Sequence, residues 1–313
     1  MLIPIFAAVF KFKTLNESNS SSIKTIFTDF KEITKAGLAL SVVFSSIAGY
    51  LLGVDELGAD QIKVLLMLAI GGYCMVGASN AYNQIIEKDL DVLMDRTKNR
   101  PIPSGRMSTR TAFWIAATLT LIGIVILYMI NPKSAMFGAI SIFLYTSVYT
   151  PLKTKTPLSV FVGAFPGAIP FMLGWVAATD EFGIEAGTLF LIQFFWQFPH
   201  FWAIGWFLYD DYKKGGFFML PTGNKDKATA MQIILYTLWL VVASILPTFG
   251  YTGQLYLTTV STVIVLLLGV WMLFYAMRLY QLRTDKAAKN LMLVSVTYIS
   301  LLQLVYILDK FLR

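Results

Sequence analysis

Asn83, Glu87, Asp91 and Asp95 recur at steps of four residues within NAYNQIIEKDLDVLMDRTKNRPIPSG (residues 80–105), the most polar run of an otherwise apolar chain. Residues four apart are neighbours on a helix, and each such step overshoots a full turn by about 40°. A helix carrying the series would turn oxygen-bearing side chains toward one side and present them to a single point. Donors of this kind suit a hard cation: Mg²⁺ is held by one or two carboxylates, several waters and the oxygens of a bound phosphate. Arg96, Lys98 and Arg100 follow directly and complement a polyanion. The alternative that needs no ligand is a helix end whose charges neutralise one another at a membrane surface, although acids at a membrane edge more often mark function.

A second polar run, Tyr209 to Lys227, holds Asp210, Asp211, Lys213 and Lys214, and a short basic pair, Lys153 and Lys155, follows Tyr149. As bare charges these would serve only to keep their loops on one side of a membrane. His200, the only histidine, lies in an aromatic segment reading PHFW; a lone histidine there reads first as a hydrogen-bonded packing residue. Cys74 is the only cysteine, so no intrachain disulfide can form, and it reads as a small buried apolar side chain. The chain contains no G-x-S-x-G, no Cys/His pairing, no HExxH and no P-loop, so neither nucleophilic catalysis nor nucleotide binding is indicated.

The elements that must position these groups are membrane helices. The 313-residue chain is 57% apolar with a mean hydropathy of +0.66, against about 45–50% apolar in soluble domains. Nine apolar segments reach or approach the roughly 20 residues needed to span a bilayer: 36–54, 62–86, 109–130, 134–150, 157–178, 186–208, 228–249, 252–277 and 288–308, the fourth being the shortest. The expected fold is therefore an all-α polytopic bundle of about nine transmembrane helices around a central cavity, formed by residues 34–313. Residues 1–33 read as an N-terminal tail, polar and disordered around Asn16 to Ser22; MLIPIFAAVF lacks a basic start and a cleavage site and is not read as a signal peptide.

Placing the amino terminus inside puts 21 of the 25 Lys and Arg residues on one side, the cytoplasmic one. Both motif loops then face the cytoplasm and the carboxyl terminus lies outside. A weak internal repeat accompanies this order. Each polar run follows an apolar span that is itself preceded by a short acidic outer loop, an arrangement that in many membrane proteins puts a substrate site between two halves.

The acid series resembles the first aspartate-rich motif of the UbiA-type intramembrane prenyltransferases, and RTKNRP is similar to the branch of that family that farnesylates protohaem IX. PLKTKTPLSVFVGAFPGAIPFMLGW (residues 151–175) and WQFPHFWAIGWFLYDDYKKGGFFMLP (residues 196–221) carry the resemblance further, over roughly residues 34–310. Two positions depart from it: Glu87 stands where Asp is more usual, and Ala36-Gly37 follows Thr34-Lys35 where a Pro-Arg or similar pair is common. The resemblance implies an Mg²⁺-dependent enzyme of the bacterial inner membrane whose substrates are farnesyl diphosphate and protohaem IX and whose product is haem O. It implies metal and diphosphate binding by Asn83, Glu87, Asp91, Asp95 and Asp211. Phosphate contacts would come from Arg96, Lys98, Arg100, Lys153, Lys155 and Lys214, and His200 becomes a haem contact, imidazole being a common iron ligand. Haem A synthase or oxidase assembly proteins would be its protein partners; nucleic acid is not expected.

Such a reaction needs no nucleophilic side chain. Ionising an allylic diphosphate requires fixed positive charge against the departing oxygens, and an aromatic lining can shelter a carbocation. Phe194, Phe195, Trp196, Phe198, Phe201, Trp202, Trp206 and Phe207 crowd one span, most of them read as packing residues or interfacial anchors. Three other functions compete: prenylation of a quinone precursor or chlorophyllide, an ion-coupled transporter, and an assembly factor that only binds haem. The transporter is disfavoured because no apolar span carries an acid in its middle, and the assembly factor gives no reason for the four-residue acid series.

Overall fold

A bilayer core offers no water to backbone N–H and C=O groups, so each span must satisfy them internally. The computed structural model describes residues 25–313, and these form helices and turns with no strand. The long helices are α1 (Ala36–Gly53), α2 (Ala59–Ile86), α3 (Thr109–Ile130), α4 (Pro132–Leu152), α5 (Ser159–Thr179), α6 (Ile184–Phe207), α7 (Lys227–Phe249), α8 (Thr259–Leu282) and α9 (Asp285–Leu312). Eight are long and apolar enough to cross a membrane. The exception is α6, which has 24 residues but is diluted by Gln193, Gln197, Pro199 and His200. Each expected span has its helix. The largest displacement is at α8, expected from residue 252; Gly250 and Gly253 adopt φ 73° and 59°, and the Thr258 side chain caps the helix by accepting from Ser261 N. The apolar residues just before Thr259 therefore belong to a loop.

Small residues let membrane helices approach closely, and α1 crosses α5 on Gly49 and Gly174. A Cβ at Gly49 would stand 2.0 Å from the Phe171 carbonyl oxygen, and one at Gly174 would stand 2.0 Å from that of Ser46. Buried polar side chains tie the bundle across this contact: Gln303 Nε2 of α9 donates to Ser45 Oγ of α1 (3.0 Å) and to Gln193 Oε1 of α6 (3.3 Å). Outward-facing apolar side chains such as Leu121, Val260 and Leu267 are exposed, as a lipid-facing surface requires.

The helices alternate in direction, which gathers the polar loops at one end. At the opposite end Lys310 Nζ donates to Leu52 O (2.8 Å), and Asp309 accepts from Thr258 N. At the site end Arg106 pairs with Asp29 at 2.8 Å and also with Glu32. These last contacts correct the expectation of a tail up to residue 33. Residues 25–34 are helical and docked, with Ile33 fully buried and Asp29 nearly so. The segment is too short to show as a span, and its anchors are on α2 and the following loop. The expectations for residues 1–24 lie outside the described residues.

Candidate active site

The polar face of α2 carries Asn80, Asn83 and Gln84, all buried and bonded to α4 and to the helix 25–34. Asn83 Nδ2 donates to Thr150 Oγ1 of α4 at 3.1 Å. The helix stops at Ile86; Glu87 is its C-cap at φ −92°, ψ 7°, and a separate short helix, Lys88–Asp91, follows. The four-residue series is therefore broken at Glu87, and Asp95 sits on an exposed turn beyond it. Among the described residues no three of Asp, Glu, His and Cys gather into a cation cage, so the carboxylates of the series do not form a closed cage by themselves. The reason is electrostatic. A desolvated carboxylate needs a counter-charge, and each acid here takes its own cation. Glu87 pairs with Lys153 at 2.6 Å, Asp91 with Arg100 at 2.7 Å, and Asp95 with Lys98 at 2.6 Å and with Lys214.

Asp91 is the exception to complete pairing. Its carboxylate is fully buried, Oδ2 accepts from Arg100, and Oδ1 has no hydrogen-bond partner, the one such carboxylate oxygen among the described residues.

Lys153 reaches Glu87 because α4 changes pitch. Pro151 has no N–H to donate, and the turn before it, Leu144–Tyr149, is a π-helix, with Thr150 Oγ1 donating to Tyr145 O at 2.8 Å. Such widened turns occur mostly at functional sites. Lys153 is 8% exposed, its ammonium over the rings of Tyr149 (4.7 Å) and Phe217 (5.4 Å). Burial alone would lower its pKa, but Glu87 raises it above the usual value. Gly163 leaves the space that Tyr149 fills, since a Cβ there would lie 2.7 Å from the ring.

The second polar run closes over this end from the other half. Asp211 accepts from the backbone N–H groups of Asp95 (2.8 Å) and Arg96 (3.3 Å), and Phe218 N donates to Lys153 O at 2.7 Å. Asp211 and Lys214 thus brace the acidic loop, while Arg96 donates to the Tyr212 hydroxyl at 3.3 Å. Hydrogen bonds from Lys214 and Lys98 hold the Asp95 pKa down to about 2. Lys98 contacts only Asp95 among these groups, and Lys155 is exposed and makes no ion pair with a described residue. His200 is held elsewhere: Nδ1 lies 2.8 Å from Ser295 Oγ, and the ring stacks on Trp196 at 4.5 Å. Its ring contacts and hydrogen bond are all to helix residues. Of the α6 aromatics, Trp206 and Phe198 are buried, and Phe194 packs between Phe165 (5.2 Å) and Phe198 (5.1 Å).

Lys35 completes the basic set and was not singled out by sequence. It sits between helix 25–34 and α1 in a left-handed conformation, φ 47° and ψ 58°. Asn80 Nδ2 donates to Thr34 O (3.1 Å), and Gln84 Nε2 donates to Glu32 O (3.1 Å) and Ile33 O (2.9 Å), so α2 satisfies the carbonyls that the break exposes. Burial, reinforced by Arg100 and Lys153, lowers its pKa to about 7. The available signal was the pair Asn80 and Gln84, polar and four apart within an apolar helix; Lys35 itself reads as one more charge before a span.

A profile of the UbiA prenyltransferase family matches residues 42–302. The chain belongs to the UbiA prenyltransferase family. A protoheme IX farnesyltransferase of Flavobacterium psychrophilum is 81% identical over 93% of this chain and 97% of its own length. One of Cytophaga hutchinsonii is 42% identical over 91% and 98%. Two UbiA-type folds agree in architecture. A digeranylgeranylglyceryl phosphate synthase superposes with a TM-score of 0.75 at 17% identity, covering 92% of this chain and 99% of that one. A UbiA homologue of Archaeoglobus fulgidus bound to DMAPP and Mg²⁺ gives a TM-score of 0.63 at 15% identity, over 89% and 99%.

Proposed function

We propose that this UbiA-family protein transfers the farnesyl group of farnesyl diphosphate to a vinyl group of protohaem IX, with addition of water, giving haem O. The activity rests on the protoheme IX farnesyltransferases to which the chain is similar over nearly their whole length. In the site itself, one observation carries the reading: a fully buried Asp91 with an unsatisfied Oδ1, flanked by Arg100 and near the Lys153–Glu87 pair.

That orphaned oxygen fits a cation. One or two carboxylates plus ligand phosphates are the usual set for Mg²⁺, and a site with no cluster of three acids among the described residues matches that division. Asp91 and Glu87, with the amide oxygen of Asn83, would hold the ion, which when bound supplies positive charge against the diphosphate. Asp95 and Asp211 are committed to bracing the loop, which makes them supports of the site. Arg96, Arg100 and Lys153 bind diphosphate oxygens and stabilise the charge that develops as the allylic C–O bond breaks. The electron pair of that bond leaves with the diphosphate. The vinyl π pair forms the new carbon–carbon bond, water adds to the carbon left electron-deficient, and its proton is released.

The excess of Lys and Arg in the loops at the site end supports a site facing the cytoplasm, and a bacterial inner membrane is the location this reading proposes, where both substrates are reachable. Haem A synthase and oxidase assembly proteins are the protein partners this product implies. The test is expression in a host lacking its own haem O synthase, followed by mass analysis of the extracted haem. Haem O should appear; protohaem alone, beside a prenylated hydroxybenzoate or naphthoate, would show a quinone-pathway enzyme.

A further inference from the structure

An open cavity of about 640 Å³ lies between the segment Thr28–Leu38 and the loop Arg96–Arg100, with Lys31, Glu32, Lys35, Arg96 and Arg100 among its lining. Its charge is lopsided. Glu32 shares Arg106 with Asp29 and Arg100 is paired with Asp91, whereas neither Lys35 nor Arg96 makes an ion pair with any described residue, so the lining of Lys31, Lys35, Arg96 and Arg100 against Glu32 remains net positive. On the proposed function, the diphosphate is matched by one divalent ion with Arg96, Arg100 and Lys153, offset by Glu87 and Asp91. Lys35 is left over, a partly buried cation with no ion-pair partner among the described residues.

The backbone argues that this placement is built. A non-glycine residue in the left-handed region costs on the order of 1–3 kcal/mol and persists where its surroundings over-determine it. Here Asn80 and Gln84 clamp the preceding three carbonyls and Arg106 clamps the helix that carries them. The lining adds apolar surface at the exposed Leu38, and Lys31 of the lining lies with Nζ over the exposed Phe27 ring at 4.3 Å. A cavity with surplus positive charge, an apolar rim and an open mouth fits a large apolar molecule bearing carboxylates on one edge.

We infer that Lys35, assisted by Lys31 at the rim, binds the carboxylates of the acceptor, the propionates of protohaem, and so orients the porphyrin with its opposite edge toward the diphosphate. This rests on the proposed acceptor. A carboxylate beside Lys35 supplies the counter-charge that Arg100, Lys153 and Arg96 deny it, and would favour the protonated ammonium.

The experiment titrates purified protein in detergent with protohaem and with its dimethyl ester, following the Soret band, for wild type, Lys35→Gln and Lys35→Arg. Farnesyl diphosphate affinity is measured on the same samples. Wild type should bind the ester at least tenfold more weakly than the free acid. Lys35→Gln should lose that discrimination by weakening for protohaem only, with farnesyl diphosphate affinity changed less than twofold, and Lys35→Arg should keep most of it. Unchanged acid-over-ester discrimination in Lys35→Gln, or a loss confined to farnesyl diphosphate, would overturn the assignment and return Lys35 to the diphosphate. A wild type that binds neither porphyrin would instead overturn the acceptor.

Discussion

Replacing Asp91 by Asn removes one charge and keeps the shape, which makes it the sharpest probe of the site. The wild-type carboxylate is fully buried; its Oδ2 accepts from Arg100 at 2.7 Å and its Oδ1 has no partner. Breaking a wholly buried ion pair costs about 3–5 kcal/mol. Here Arg100 keeps 18% of its side chain exposed, and the amide oxygen of Asn can still accept its hydrogen bond. The stability loss should therefore be smaller, roughly 1–2 kcal/mol, or a few degrees in thermal midpoint. Turnover is affected differently. Losing one preorganised group that acts on developing charge costs about 2.7–4 kcal/mol, or 10²–10³ in rate. Asp91→Asn should thus insert and melt nearly as wild type while haem product, measured by chromatography at limiting Mg²⁺, falls at least a hundredfold. Asp55→Asn, on an exposed loop at the other end and 3.9 Å from Lys310, should change neither. A folded Asp91→Asn turning over within threefold of wild type would refute the role of this carboxylate.

Lys153→Met leaves Glu87, 5% exposed, without its counter-charge, so it should destabilise by about 3–5 kcal/mol. Glu87→Gln added to it should recover part of that loss in detergent melts. Gly174→Val drives a side chain into the Ser46 carbonyl and should unseat α1 from α5, seen as loss of folded protein. Gly187→Ala, whose added Cβ meets nothing within 4 Å, should be neutral or slightly stabilising. Reporter fusions after Gly105 and Gly223 should read cytoplasmic and one after Glu181 external; Gly105 and Glu181 on the same side would contradict the alternation of the nine helices.

The spans were legible because hydropathy over twenty residues is set by the bilayer and little else, and even α6, diluted by Gln193, Gln197 and His200, was counted as an apolar segment of spanning length. The start of α8 was misplaced because the Leu255 to Thr258 stretch is apolar enough to read as helix, while the turn is set by positive φ at Gly250 and Gly253. The acid motif was legible as types and order, but its geometry was not. Four-residue spacing presumes one continuous helix, and the chain instead ends α2 at Glu87 and gives each carboxylate a cation from elsewhere: Lys153 from α4, Arg100 from the loop, Lys214 from the other half. Those pairings span 66 and 119 residues of sequence for Lys153 and Lys214, beyond the reach of any local pattern. Lys35 was missed for the same reason, since its position depends on Asn80 and Gln84 meeting the end of a short helix that composition had assigned to a tail.

The central claim is the transfer of a farnesyl group to protohaem, and the purified protein tests it most directly. Given Mg²⁺, farnesyl diphosphate and reduced protohaem in detergent, it should yield a porphyrin heavier than protohaem by one farnesyl group plus the elements of water, with release of diphosphate. Protohaem recovered unchanged from a folded preparation that binds both substrates would contradict the account.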